Sequence, residues 1–576
     1  MPRTKNALVA ALAAMLASGC AGPGTRTAAG PAGVAPSPAG AEEAASDVVV
    51  TGARVSGHTV AGSTAPPPPP PLPPPSAPAP AFLARSAPDA VSPPPYHDTG
   101  RDRFTAIREN PFRLVRDEPV STFSLDVDTA SYSFTRASLN RNVLPQPDAV
   151  RTEEMVNYFP YDYAPARSAT EPFSTNIAVF PSPWSPGRLL VRVGVKGYQL
   201  PRTARPRANL VFLIDTSGSM DEPNKLPLVK QSLGLLLDRL DANDSVAIVT
   251  YAGSAGTALE PTPASRKSVI LAALDHLGAG GSTAGAEGIR QAYALAERNL
   301  DPHGVNRVML ATDGDFNVGI TDQDELKGYI ERERGKGVFL SVLGFGMGNY
   351  NDALMQTLAQ NGNGAAAYID TLNEARKTLV DEATSTLFPI AKDAKVQVEF
   401  NPAVVAEYRL IGYETRLLNR EDFDNDRIDA GDVGSGQTVT ALYEVTPIGG
   451  PRAVADLRYA RPAAAPTAGR AGELGFVKIR YKLPRSATSR LISTPIGHPV
   501  RLARFEDAPQ DARFATAVAG FAELLRGGKH TGTFGYDDVL RIAVGARGED
   551  AFGYRAEFIQ LVRAARTART MAALER

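Results

Sequence analysis

Two short polar segments carry the residue types best suited to chemistry. Asp215-Thr216-Ser217-Gly218-Ser219 places one carboxylate and two hydroxyls at alternating positions, and Thr312-Asp313-Gly314 supplies a second carboxylate. Mg²⁺ prefers oxygen ligands in near-octahedral geometry and keeps some of its water molecules. These side chains therefore form a candidate site for one hard divalent cation.

Each polar segment follows an element that can position it. Residues 209–214 and 307–311 are largely apolar runs typical of buried strands, and they end at Asp215 and just before Asp313. A glycine-rich loop at residues 278–285 allows close backbone approach. Sites in open α/β sheets form outside the carboxyl ends of the strands, so the three loops are expected to meet at one edge.

Strands and helices alternate over this part of the chain, which predicts a doubly wound parallel sheet. Helices are expected at residues 226–240, 265–277, 286–299, 323–334, 351–360 and 372–387, with further strands at 245–251, 337–345 and 365–369.

The order of these motifs closely resembles the metal-ion-dependent adhesion site of von Willebrand factor type A (VWA) domains. The resemblance implies that Ser217, Ser219 and Thr283 offer hydroxyls to Mg²⁺ or Mn²⁺. It implies that Asp215 and Asp313 ligate the metal directly or through water. Two carboxylates balance a divalent cation and leave it available for an acidic group of a partner, which is how domains of this family commonly capture ligands. Two other interpretations remain open. The metal site is purely structural, or it is used within this chain rather than for a partner.

Strand patterns lie on both sides of this domain. They occur at residues 174–180 and 189–195 before it, and at 395–400, 408–413, 438–445 and 475–481 after it. Helices are expected at residues 510–525, 536–544 and 551–564. The predicted fold class is α/β, with a doubly wound, Rossmann-like VWA domain inserted in or flanked by a β-sandwich and followed by a C-terminal helical segment.

The segment Asp126-Val127-Asp128-Thr129-Ala130 invites comparison with phosphotransfer enzymes, but Ala130 occupies the position where their motif needs threonine. Capping of the following helix by Asp128 or Thr129 is the better interpretation.

The segments on both sides of the predicted VWA domain resemble the N-terminal extension and the uncharacterised C-terminal domain of a group of bacterial VWA lipoproteins. This resemblance spans about residues 104–566.

The N-terminus has the features of a secretory signal, with Arg3 and Lys5 before a short apolar run. Ala17-Ser18-Gly19-Cys20 resembles a lipobox, and Cys20 is the only cysteine. We expect acylated Cys20 to hold the protein on a lipid bilayer. Ala21, rather than Asp, follows it, which favours the outer membrane over the inner membrane. An ordinary secretory signal is the alternative.

These patterns divide the chain into six parts. They are a lipoprotein signal peptide (1–20), a disordered proline-rich tether (21–100), an N-terminal VWA-associated region (101–205), the VWA domain with its metal site (206–388), a β-rich domain (389–500) and a C-terminal helical region (501–576).

Composition and motifs argue against several functions. With 61 Lys and Arg against 62 Asp and Glu, no overall field attracts nucleic acid. The phosphate loop, the His-Glu-x-x-His zinc helix and the Gly-x-Ser-x-Gly nucleophile elbow do not occur. We therefore expect a non-enzymatic protein of the cell envelope whose cation captures an Asp or Glu of a partner. The alternatives are a scaffold with a structural metal and a Mg²⁺-dependent hydrolase in which Asp315 orients water.

Overall fold

The computed structural model of the protein describes residues 102–281, 285–314, 323–348, 350–428, 430–455, 472–497 and 501–574. The chain divides into two compact units, Met1–Ser86 and Ala87–Arg576, and all described residues belong to the second. Cys20, the tether, Thr283 and Asp315 lie outside the described residues.

The first described elements precede the predicted VWA domain. They are β1 (Arg113–Leu114), β2 (Val120–Ser124), α1 (Ala130–Leu139), α2 (Thr152–Asn157), β3 (Phe173–Pro181) and β4 (Leu189–Gly197). Almost every residue of α1 is buried, including Ser133, Thr135 and Arg136. A helix on the surface of a domain buries only one stripe, so α1 is enclosed by other elements on nearly all sides.

A doubly wound α/β domain follows, as predicted. Its elements are β5 (Ala208–Asp215), α3 (Leu226–Leu237), β6 (Ser245–Tyr251), β7 (Ala255–Pro263), α4 (Lys267–Asp275), α5 (Gly285–Arg298), β8 (Val305–Thr312), α6 (Gln323–Gly335), β9 (Val338–Phe345), α7 (Asp352–Asn361), β10 (Ala366–Ile369), α8 (Leu372–Arg376) and α9 (Ala383–Leu387).

The sheet of this domain has the order β10-β9-β8-β5-β6-β7, and only β7 runs antiparallel to its neighbour. Val211 and Leu213 of β5 pack into one core cluster, whereas Phe212 and Ile214 pack into another. Both faces of the sheet are therefore covered, which explains why β5 reads as a continuous apolar run.

Two parts of this domain differ from the sequence prediction. Strand β7 was not predicted, because it lies at the sheet edge with several exposed side chains and includes Pro261 and Pro263. The helix expected at 372–387 is divided by a π-helical turn at Lys377–Asp381. The Lys377 side chain in this turn is buried, and its ammonium lies 2.7 Å from Glu382 Oε1 and 4.3 Å from the centre of the Tyr158 ring.

The predicted interrupted β-sandwich is confirmed. The strands after the α/β domain are β11 (Pro389–Phe400), β12 (Val405–Ile411), β13 (Leu417–Leu418), β14 (Val433–Gly434), β15 (Thr438–Pro447), β16 (Glu473–Lys482) and β17 (Ser489–Gly497).

The two sheets of the sandwich combine strands from both sides of the insertion. One has the order β1-β12-β15-β4-β3, and the other has the order β13-β2-β11-β16-β17 with β14 beside β11. Val191 of β4 and Val396 of β11 belong to the core that they share. Gly197 at the end of β4 lies against Ile390 at the start of β11, so the chain leaves and re-enters the sandwich at one place.

The C-terminal helices α10 (Gln510–Leu525), α11 (Tyr536–Gly545) and α12 (Tyr554–Leu574) are also present as predicted. They share one core with α1 and α2, in which Phe159 contacts Phe514 and Phe558 edge to face. The helical region is therefore packed against the N-terminal region. Among the described residues, no helix combines the length and apolar character needed to cross a bilayer.

Buried ion pairs join these regions. Arg136 of α1 binds Asp370 and Glu374 of the α/β domain and Glu557 of α12. Arg416 of the sandwich donates hydrogen bonds to Asp126 and Asp128. The capping prediction is wrong, because Thr129 makes no side-chain capping bond and Asp128 instead accepts hydrogen bonds from Arg416 and from the backbone of Ala366.

Candidate metal site

Asp215 is the last residue of β5 and is buried. Its Oδ1 accepts a hydrogen bond from the Ser217 amide at 2.9 Å. Its Oδ2 accepts from the hydroxyls of Tyr251 at 3.1 Å and Thr312 at 3.3 Å. These three donors fix the carboxylate in one orientation at the carboxyl end of the sheet.

The two predicted serine ligands lie in the loop after β5. The Ser217 and Ser219 hydroxyl oxygens are 3.1 Å apart. The loop is tied to the glycine-rich segment by hydrogen bonds from Gly218 N to Gly281 O at 3.1 Å and from Gly280 N to Thr216 O at 2.8 Å. Gly281 has a φ of +85°, a backbone conformation that favours glycine.

Asp313 reaches the same edge because β8 is paired in parallel with β5, with Ala311 opposite Ile214. Asp313 is buried, and the following Gly314 has a φ of +107°. Burial raises the pKa of Asp215, and the negative charge of Asp313 raises it further, whereas hydrogen bonds from Ser217 and Tyr251 oppose the change. Two carboxylates from neighbouring strands are therefore close enough to interact, and a cation would relieve their repulsion.

Lys225 is a member of this site that the sequence analysis missed. It precedes α3, and its Nζ lies 3.0 Å from Ser219 O and 3.1 Å from Asp313 Oδ2. Its side chain is 4% exposed. A lysine six residues after Ser219 was visible in the sequence, but its orientation depends on how the chain turns into α3.

The chemistry of these donors fits a hard divalent cation. The described candidate ligands, Asp215, Ser217, Ser219 and Asp313, offer only carboxylate and hydroxyl oxygens. The Lys225 ammonium already contacts oxygens of both loops, so donors from the two loops lie within reach of one cation. In the described part of the chain no group of three or more His, Cys, Asp and Glu side chains is placed to hold a metal ion. An oxygen site of this kind suits Mg²⁺ or Mn²⁺.

A cavity of about 730 Å³ is lined by residues of both the α/β domain and the sandwich. It is lined by Arg307 near the start of β8, whereas Asp313 follows the end of that strand. Burial lowers the pKa of Arg307 to about 10. None of the described candidate ligands lines the cavity, which is therefore a feature separate from the candidate metal site.

Three known families match successive parts of the chain. They are described as von Willebrand factor at residues 98–192, von Willebrand factor type A domain at 209–382, and uncharacterized protein YfbK, C-terminal, at 385–568. The uncharacterized protein YfbK of Escherichia coli (strain K12) is 44% identical over 471 residues, covering 80% of this chain and 81% of that protein. The chain belongs to the YfbK family of VWA-domain proteins. The α/β domain is its VWA domain, and the predicted VWA family with an uncharacterised C-terminal region is confirmed.

Other similarities cover less of the chain or lie at lower identity. Inter-alpha-trypsin inhibitor heavy chain H4 of Homo sapiens is 30% identical over 190 residues, covering 31% of this chain and 20% of that protein. The structure of a von Willebrand factor type A protein from Catenulispora acidiphila has 15% identity and a TM-score of 0.39, covering 67% of this chain and 89% of that one. A mussel byssus matrix protein, described with zinc in its MIDAS motif, has 23% identity and a TM-score of 0.26, covering 31% of this chain and 45% of that one.

Proposed function

We propose that the protein is a non-enzymatic binding module of the cell envelope that uses a divalent cation to capture an acidic residue of another protein. The observation that carries this proposal is the convergence of Asp215 and Asp313, from neighbouring strands, beside the serine hydroxyls of one loop. In this proposal Mg²⁺ or Mn²⁺ is held by Asp215, Ser217, Ser219, Thr283 and Asp313.

The donor set supports an acidic ligand. Asp215 and Asp313 together neutralise a divalent cation, and the remaining donors are uncharged hydroxyls. A cation of this type keeps positions for water, and one of them can be taken by a carboxylate oxygen. An Asp or Glu of the partner would then complete the coordination.

Membrane attachment is a separate part of the proposal. The lipobox-like sequence ending at Cys20 supports acylation of that cysteine, which would retain the protein in the envelope, with the outer membrane favoured. Metabolic labelling with a radioactive fatty acid tests this step. Label in the wild type that is absent from Cys20→Ala supports it, and unlabelled wild type contradicts it.

The central experiment is affinity capture from an envelope extract with the full chain. The wild type is compared with Asp215→Ala, each in Mg²⁺ or Mn²⁺ and in chelator, and retained proteins are identified by mass spectrometry. A binding module retains its partner only when both metal and Asp215 are present. Asp221→Ala is the matched control, because Asp221 is an exposed carboxylate at the end of the same loop.

The two alternative functions give different results. A scaffold with a structural metal retains its partners in Asp215→Ala, although that variant loses the stability that the metal gives. A Mg²⁺-dependent hydrolase turns over phosphate or carboxylate esters in a metal-dependent assay, which the binding module does not.

A further inference from the structure

Lys225 adds an ammonium group to a site that otherwise contains two carboxylates and neutral hydroxyls. Its ammonium lies 3.1 Å from Asp313 Oδ2 and 3.6 Å from Glu222 Oε1. It also donates to the backbone carbonyl of Ser219 at 3.0 Å. Glu222 is 63% exposed, so Asp313 is the buried carboxylate that this lysine neutralises.

The fold holds Lys225 in this position. Its backbone amide donates to Glu222 O at 2.9 Å, and its carbonyl accepts from Val229 N at 2.9 Å in the first turn of α3. The aliphatic part of its side chain packs against Gly346, which has a φ of +74° and follows β9. A Cβ added at Gly346 would overlap Lys225 Cε, so the loop after β9 leaves a channel for the lysine stem.

The lysine changes the net charge of the site at which a metal ion would bind. Two carboxylates and one ammonium give a net charge of −1, so a bound divalent cation leaves the site at +1. Without the ammonium the same cation leaves a neutral site. Like charges repel more strongly at a buried site than in water, so Lys225 weakens cation binding and strengthens the attraction of the loaded site for an anion.

We propose that Lys225 couples the two binding events, keeping cation affinity low until a carboxylate ligand supplies the missing negative charge. This inference deepens the proposed function and rests on it. Lys225 is a positioning and charge-setting residue, and its ammonium does not contact the ligand. The site thereby holds its metal tightly only when an acidic partner is engaged.

The test is calorimetric titration of Mn²⁺ into the full chain. Lys225→Met keeps most of the stem and removes the charge, and Lys225→Gln is a second neutral variant in case the first fails to fold. We expect each folded neutral variant to bind Mn²⁺ at least tenfold more tightly than the wild type, or about 1.4 kcal/mol. Replacing chloride by acetate at equal ionic strength should tighten Mn²⁺ binding to the wild type by a larger factor than to the variants.

Lys230→Met is the matched control, since Lys230 lies on α3 and its ammonium binds the carbonyls of Asp275 and Leu277. It should bind Mn²⁺ as the wild type does. The proposal is overturned if Lys225→Met and Lys225→Gln bind Mn²⁺ no more tightly than the wild type, which is the result that a purely structural lysine gives. No partner protein enters this titration, so its failure and the failure of the capture experiment are distinguishable.

Discussion

Tyr251 ends β6 directly opposite Asp215 in the parallel ladder, and its hydroxyl donates to Asp215 Oδ2 at 3.1 Å. The buried tyrosine thus orients a carboxylate of the candidate metal site without being a candidate ligand. Residues that orient metal ligands commonly affect affinity almost as much as the ligands do.

Tyr251→Phe should therefore weaken Mn²⁺ binding by roughly 10-fold to 100-fold, because Asp215 loses one of its orienting hydrogen bonds. Isothermal calorimetry measures this change. Tyr293→Phe is the control, since Tyr293 is a buried tyrosine of the same domain whose hydroxyl makes no hydrogen bond to any described residue. Equal losses of affinity in both variants would contradict the role assigned to Tyr251.

Metal should stabilise the wild type and leave Asp215→Ala unaffected. A cation bound only by the folded state raises the free energy of unfolding, by about 2.7 kcal/mol at 100 times its dissociation constant. Thermal melts with Mg²⁺ and with chelator measure the difference, and an equal shift in Asp215→Ala would contradict the assignment of the site.

The buried cluster formed by Arg136 with Asp370, Glu374 and Glu557 should contribute more to the free energy of unfolding than most other ion pairs do. Arg136 is 2% exposed and lies 2.8 Å from Glu374, which is 1% exposed. Arg136→Met leaves buried carboxylates without their cation and should lower the free energy of unfolding by about 3–5 kcal/mol in urea titrations.

The control for this cluster is an exposed pair. Arg298 and Glu260 lie 2.7 Å apart with side chains 63% and 67% exposed. Arg298→Met should change the free energy of unfolding by less than about 1 kcal/mol. Similar losses in the two arginine variants would show that burial does not decide the energy of these pairs.

Asp128 should contribute stability that is lost as the pH rises from about 4 to 8. Burial raises the pKa of Asp128 to about 8 from 3.8, the charge of Asp126 raises it further, and Arg416 lowers it. In this range the folded protein keeps a proton that the unfolded chain has lost, so unfolding releases a proton. Each such proton contributes a slope of up to about 1.4 kcal/mol per pH unit.

Asp128→Asn should reduce that slope, as measured by urea unfolding at several pH values. Asp424→Asn serves as the control, because the Asp424 side chain is 83% exposed. A slope in Asp128→Asn as steep as in the wild type would exclude Asp128 as the source of the released proton.

The elements that sequence reasoning found are those with a local signal. Residues 209–214 form a run that is apolar because both faces of β5 are covered, and the strand extends only slightly beyond it. Strand β7 lacks such a run, since it lies at an edge. The carboxylates Asp215 and Asp313 were predictable because each follows a buried strand.

Contacts between distant segments were not predictable from one sequence. Asp128 looked like a helix cap because the sequence nearby shows no partner, yet Arg416 lies 288 residues away. Local patterns also predicted the C-terminal helices without indicating that Phe514 and Phe558 pack against Phe159.

The inserted position of the VWA domain bears on how the sandwich assembles. Lys196 of β4 pairs with Thr438 of β15, and all strands of the VWA sheet lie between these two residues. A VWA domain that folds first would hold its two ends together and so shorten the loop that the sandwich must close. The insertion would then lower the entropic cost of pairing β4 with β15.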